Sequence, residues 1–343
     1  MPIHNFKQPR GRLEMITLDS KALTGNMLGD PAERKVAVYL PEGYDPGGAE
    51  EYPLFVHLAG FTGSGLGQVG WRAFGESIPQ RLDRLVESGE MGPVVAAFPD
   101  CFTSLGGNQY INSIAMGMWE DFLIDEMIPR LEEGFRIRRG REGRALFGKS
   151  SGGYGAIVHG LKHAESWNAV ACHSGDMAFD LLFHGEFPNV LNRLARFDRD
   201  ISKFLDHVES LPKIGGDDFH VLMTLAMSAT YDPAPGAPRG IRLPVDLETC
   251  ELDEERWNAW LAHDPLTLVE KAECRENLGK LAALYIDCGS KDQYHLHYGA
   301  RRFSAILKDA KIDHRYEEFD DTHSSVDYRQ DISLPWMYHA IQR

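Results

Sequence analysis

RALFGKSSGGYGAIVHGLKH, residues 144–163, decides the fold. Four residues of strand character, Arg144–Phe147, run into a glycine-rich bend and then into an apolar segment with helical spacing. The bend, Gly148-Lys149-Ser150-Ser151-Gly152, has the form G-x-S-x-G. Between a strand and a helix, this pattern holds a serine on a turn so sharp that its backbone is strained, and only small neighbours avoid clashing there. The hydroxyl is lifted above the sheet edge, and the first amides of the following helix, at the positive end of its dipole, face the developing oxyanion. Ser150 is the expected nucleophile, because it alone has glycine two residues away on both sides. The backbone N–H of Ser151 is one expected oxyanion donor. The competing reading, a phosphate-binding loop at GKSSGG, is set aside on the spacing of its glycines.

Outward from this bend, strand-like and helix-like segments alternate. Upstream lie β-like runs at Leu13–Leu18 and Lys35–Leu40, the second closed by the turn PEGYDPGG. Buried strands follow at Pro53–Leu58 and Val94–Phe98, and then the helical pattern WEDFLIDEMIPRLEE from Trp119 to Glu133. Downstream come strand Ala169–Cys172, helix Pro265–Arg275, strand Leu281–Asp287, helix Tyr294–Asp309, strand His314–Phe319 and a final helix near Val326–Ile341. This order implies an α/β fold, with a mostly parallel central sheet flanked by helices on both faces. The pattern breaks over 177–263, which holds helical fragments, the Pro/Gly-rich YDPAPGAPRG and the acidic ELDEERW. That is too long for a bare loop. An inserted cap or lid is expected at 177–263, with 1–176 and 264–343 forming the core.

The whole chain excludes several classes of function. Its 343 residues carry a formal net charge of -15 and no long Lys/Arg run, so nucleic acid and an anionic membrane surface are poor partners. The opening MPIHNFKQPRGRLEM has no apolar stretch long enough for a secretory signal, and no run approaches a membrane span. Five scattered cysteines form no C-x-x-C pair, which argues against a disulfide framework or a zinc knuckle and fits a reducing cytoplasm.

A serine hydroxyl needs a base beside it at neutral pH. In a fold of this type the order along the chain is Ser, then Asp or Glu, then His, the last two on loops after late strands. Of 14 histidines, His323 in FDDTHSSVDY stands just beyond the last expected strand and is the expected base. His314 falls in that strand, His339 in the closing helix, and His295 and His297 in the preceding helix. The acid belongs in DCGSKDQY, where Asp292 is preferred to Asp287 because it lies in the glycine-led loop that can reach a histidine. Asp320 and Asp321 are the rival carboxylates. A second oxyanion donor is expected from LAGFTGSG, where the Phe61 N–H is the candidate. Trp71, farther along, is a candidate lining residue for the substrate pocket.

On these residues the chain resembles the putative-esterase family of α/β hydrolases, which includes esterase D (S-formylglutathione hydrolase), feruloyl esterases and enterochelin esterases. YPLFVHLAGFTGS is similar to the family's strand and oxyanion loop, and the stretch from Trp119 through GKSSGGYGAI to its helix and nucleophile. HDPLTLVEK, LYIDCGSKDQYHL and the region around His323 look most like the esterase D branch. The resemblance implies an α/β-hydrolase fold, a triad of Ser150, Asp292 and His323, and an oxyanion hole from the Phe61 and Ser151 amides. There are departures: Ala59-Gly60 stands where many members have His-Gly, and Gly63 where esterase D proteins usually carry cysteine. SSGGYG replaces the common SMGGHG, and 177–263 has no clear counterpart in compact members.

The expectation is a cytoplasmic serine carboxylesterase acting on a small-molecule ester, with no cofactor and no catalytic metal. The rivals are a thioesterase for S-formylglutathione, acyl transfer to an alcohol, and a non-catalytic binding protein that kept the fold. A homodimer is the working guess for its assembly.

Overall fold

The computed structural model describes residues 4–342. Its centre is a sheet of eight strands: β1 (Arg12–Asp19), β2 (Glu33–Leu40), β3 (Leu54–Leu58), β4 (Val95–Pro99), β5 (Arg144–Lys149), β6 (Ala169–His173), β7 (Ala283–Gly289) and β8 (Arg315–Phe319). Their spatial order is β1-β2-β4-β3-β5-β6-β7-β8. β1 and β2 pair antiparallel, as do β2 and β4. From β4 to β8 every pairing is parallel. The alternation of segments predicts this mostly parallel sheet, and the whole has the α/β-hydrolase fold that the resemblance implies.

The central strands are mostly apolar because both faces are covered. Along β3, Leu54, Val56 and Leu58 enter the core on one face, while Phe55 enters the other. Along β5, Leu146 faces the first core and Ala145 and Phe147 the second. The second face is closed by α1 (Ile78–Glu87), through Ile78, Leu82 and Leu85, and by the C-terminal helix, through Leu334, Met337 and Ile341. The first face carries α2 (Ser151–Lys162), the helical run 119–134 and α3 (Leu296–Asp309). The run 119–134 is not a plain α-helix, for its middle, Phe122–Met127, is wound as a π-helix.

Across 177–263 the chain forms five α-helices, at Phe179–Leu182, Phe187–Leu194, Ile201–Ser210, Gly216–Tyr231 and Glu254–Leu261. Their apolar faces do not make a separate core. Phe179, Phe183, Tyr231 and Trp260 form a cluster of edge-on and tilted rings, and Tyr154 of α2 meets Phe179 and Tyr231.

The expected helix Pro265–Arg275 is two helices, Pro265–Leu268 and Ala272–Gly279. Asp264 caps the first by accepting from the Leu266 N–H, and Lys271, in extended backbone, interrupts the run before the second. The closing helix starts at Gln330 rather than near Val326, after a 3-10 turn at Asp327–Arg329.

Candidate active site

The elbow after β5 is strained where the sequence calls for it. Ser150 has φ 58° and ψ -126°, a region that costs a non-glycine residue of order 1–3 kcal/mol. Two glycines make the turn possible. A Cβ on Gly148 would stand 2.4 Å from the Gly152 carbonyl oxygen, and one on Gly152 would stand 2.0 Å from that of Leu58. The bend is pinned on both sides: the Ser150 N–H donates to the His173 carbonyl at 2.9 Å, and its own carbonyl accepts from the Tyr154 N–H at 2.8 Å. Ser151 opens α2, so its amide has no carbonyl one turn earlier to bond.

The spacing argument against a phosphate-binding loop does not hold. Gly143 does stand five residues before Gly148, so 143–150 (GRALFGKS) fits the letters G-x-x-x-x-G-K-S. The fold removes that reading instead. Arg144–Lys149 is a strand hydrogen-bonded on both sides, to β3 and β6, and its amides are not free to cradle an anion.

His323 follows β8 and lies in a buried position, its Nδ1 2.8 Å from Asp292 Oδ2. The Asp292 carboxylate also accepts from the Tyr294 N–H at 2.9 Å, and the Tyr294 ring stands edge-on to the imidazole at 4.9 Å. Burial pushes the Asp292 carboxyl up, but the bond to His323 and that ring's charge, helped by the backbone amides of Tyr294 and Leu296, hold it below its ordinary value. The Gln293 side chain accepts from the His323 N–H at 3.1 Å and fixes the loop. Ser150, Ser151, Phe61 and His323 line one cavity of about 340 Å³.

The rejected candidates are occupied elsewhere. Asp287 is buried against His173 at 2.8 Å and against the Arg329 guanidinium at 2.9 Å, with the Tyr285 hydroxyl also donating to it. His173 is held in turn by Ser333. This second His–Asp pair is a structural cross-link between β6, β7 and the C-terminal helix. Asp320 pairs with Lys291 at the surface, and His314 bonds Ser304 and the Ile312 carbonyl. His339 bonds the Glu90 carbonyl. Trp71 does not line the cavity that holds Ser150. It is 69% exposed and packs on His4.

Some residues at the site escaped the sequence reading. The Tyr110 hydroxyl donates to the Ala59 carbonyl at 2.5 Å, and the Gly107 N–H to that of Phe61 at 2.7 Å, so the loop 101–110 holds the strand exit that carries Phe61. The Gln109 amide donates to the Ser151 hydroxyl and to Asp176, each at 3.1 Å. Asp176, after β6, is buried and lines the cavity. Its burial raises the carboxyl to about 7, against the lowering effect of Gln109, and the charge of Asp292 adds to the rise. The one available signal was position, since polar groups at the carboxyl ends of parallel strands face the ligand crevice. Among the described residues no group of three or more His, Cys, Asp or Glu side chains is placed to hold a metal ion. No described helix is long and apolar enough to cross a membrane.

Residues 30–334 match the family model described as Esterase, Putative esterase. Among curated proteins, an esterase of Mycobacterium tuberculosis (strain H37Rv) is 30% identical over 102 residues, covering 27% of this chain and 21% of the relative. An endo-1,4-beta-xylanase/feruloyl esterase of Xylanibacter ruminicola is 26% identical over 168 residues, covering 48% of this chain and 22% of that protein. The matched part thus spans about a fifth of the length of these curated relatives. Among solved structures, a ferulic acid esterase superposes with a TM-score of 0.62 at 19% identity, covering 96% of this chain and 98% of that one. An S-formylglutathione hydrolase from Agrobacterium tumefaciens superposes with a TM-score of 0.58 at 16% identity, covering 99% and 98%. At such identities the likeness is one of fold.

Proposed function

Because the chain belongs to the Putative esterase family, we propose that it is a serine carboxylesterase in which Ser150, His323 and Asp292 form the triad. The observation that carries this reading is the meeting of a strained Ser150 and an Asp292-held His323 at one cavity. The Ser150 oxygen attacks the acyl carbon while His323 Nε2 takes its proton. Asp292, bonded to Nδ1, fixes the tautomer that leaves Nε2 free to accept, and stabilises the imidazolium that follows. The carbonyl oxygen becomes an oxyanion facing the Ser151 and Phe61 amides. Collapse breaks the bond to the alcohol, which leaves with the proton from His323, and the acyl group stays on Ser150. Water then attacks with His323 again as base, releasing the carboxylic acid and restoring the serine.

Helices from 177–263 act in this reading as a cap over the apolar side of the cavity, through Leu182, Phe183, Phe219, Met223 and Met227. The depressed carboxyl of Asp292 keeps the base supported well into mildly acidic solution. The five free cysteines fit a reducing compartment, and we place the protein in the cytoplasm. Turnover of p-nitrophenyl acetate by the wild type and its loss in a folded Ser150→Ala variant is the expected result. Equal turnover by the two proteins overturns the proposal.

A further inference from the structure

The cavity has two unlike ends. The cap side is apolar, with Phe183, Phe219, Met223 and Met227. The other end is polar and is lined by His57, Arg72, Lys149, Ser324, Ser325 and Asp327. Charges there do not balance. Arg72 donates to Asp327 at 2.7 Å and also bonds Gln68, so the Asp327 carboxylate is already matched. Lys149 lies at the same end and enters no ion pair among the described residues, although Asp327 and Asp292 act on it at longer range. Burial pushes its ammonium pKa down, the mark of a cation short of solvent. His57 is enclosed at this end too, with Nδ1 lacking any hydrogen-bond partner among the described residues. Burial lowers that ring to about 3, so it stays neutral and adds hydrogen-bonding capacity without charge.

A partly desolvated cation without an anion is costly, and a bound anion removes the cost. General solubility does not explain it either, since the chain as a whole carries -15. The loop also indicates which half of the substrate lies here. Ser324, Ser325 and Asp327 continue directly from His323, whose Nε2 must deliver a proton to the leaving oxygen, so this end faces the alcohol half.

We propose that the alcohol half of the substrate carries a carboxylate, which is received by Lys149 with Ser324, Ser325 and His57 around it. This inference rests on the esterase reading of the site. It assigns the apolar end of the cavity to the acyl group and gives Lys149 a role in specificity beyond its place in the G-x-S-x-G bend.

The test compares two esters on the full chain, 3-carboxyphenyl acetate and its neutral analogue 3-carbamoylphenyl acetate. The wild type is expected to favour the carboxylate in kcat/KM by about tenfold, as one close charge contact supplies. Lys149→Gln is expected to remove most of that preference. Lys149 adjoins the nucleophile, so Arg72→Gln, which frees the Asp327 carboxylate to neutralise Lys149, and the loss of preference with rising salt give the same readout away from the bend. A ratio at or below one in the wild type overturns the inference, as does a ratio that neither variant changes. Fluorophosphonate labelling separates the two levels. A protein that labels but shows no carboxylate preference loses only this inference, and a protein that fails to label loses the esterase reading with it.

Discussion

His323 Nδ1 and Asp292 Oδ2 lie 2.8 Å apart, although 31 residues and the whole of α3 and β8 separate them in sequence. The pair is formed by two loops at the carboxyl ends of neighbouring parallel strands, β7 and β8, whose register sets one loop beside the other. The pairing holds the imidazole in one orientation.

Asp292→Asn keeps the size of the side chain and removes its charge. An asparagine can present its amide N–H to Nδ1, which favours the tautomer with the proton on Nε2 and leaves Ser150 without a base. Turnover of a p-nitrophenyl ester is expected to fall by about a thousandfold or more, with an unchanged circular dichroism spectrum. Activity within tenfold of the wild type would assign the carboxylate elsewhere.

Gly152→Ala tests the tightness of the elbow. The added Cβ would stand 2.0 Å from the Leu58 carbonyl oxygen and 2.9 Å from that of Ala59, both backbone atoms of a central strand and its exit. Relief requires the strand or the helix to move. A loss of about 2 kcal/mol or more in urea unfolding is expected. A neutral substitution would mean that α2 can slide away from β3.

Much of the architecture was legible because it is written in local pattern. The strand cores at β3, β4, β5 and β6 begin and end within a residue or two of their apolar runs, since a strand covered on both faces is apolar at most positions. Ser150 was legible for a different reason: only small residues fit the strained turn, and they leave a spelling. What was not legible depends on contacts that are remote in sequence. The break at Lys271 is invisible to helical spacing, and nothing near Trp71 shows that it packs on His4 outside the cavity. Gln109 and Asp176 reach the site through a hydrogen bond spanning 67 residues. Asp287 and Asp292 differ by five positions, and the choice between them turned on loop against strand. In the structure Asp287 is bonded to His173 and Arg329, while Asp292 is bonded to His323.

Asp176 makes stability depend on pH in a stated direction. Its carboxyl is raised from 3.8 to about 7 by burial, Gln109 opposing and Asp292 adding to the effect. Across that interval the folded chain holds a proton that the unfolded chain has released. The stability this group contributes is therefore complete below about pH 4 and is lost as pH rises through about 7. Asn cannot ionise, so Asp176→Asn is expected to raise Tm relative to the wild type by more at about pH 8 than at about pH 4.5. A gain that is the same at both pH values contradicts a raised carboxyl.

Arg329→Met removes one partner of a buried carboxylate. Burial pushes Asp287 up, and His173 with Arg329 hold it below the usual carboxylate range, while Arg329 also bonds Glu317 and Tyr285. Leaving Asp287 with fewer partners is expected to cost about 3 kcal/mol in chemical denaturation. A cost under 1 kcal/mol would show that His173 alone satisfies it.

The central claim is that the oxygen of Ser150 is the activated nucleophile. Its most direct test is mass spectrometry of the intact protein and its peptides after reaction with a fluorophosphonate. The account predicts one adduct per chain, on Ser150, which disappears in Ser150→Ala and forms far more slowly in His323→Ala. An adduct on Ser151, or none at all on folded protein, would contradict it.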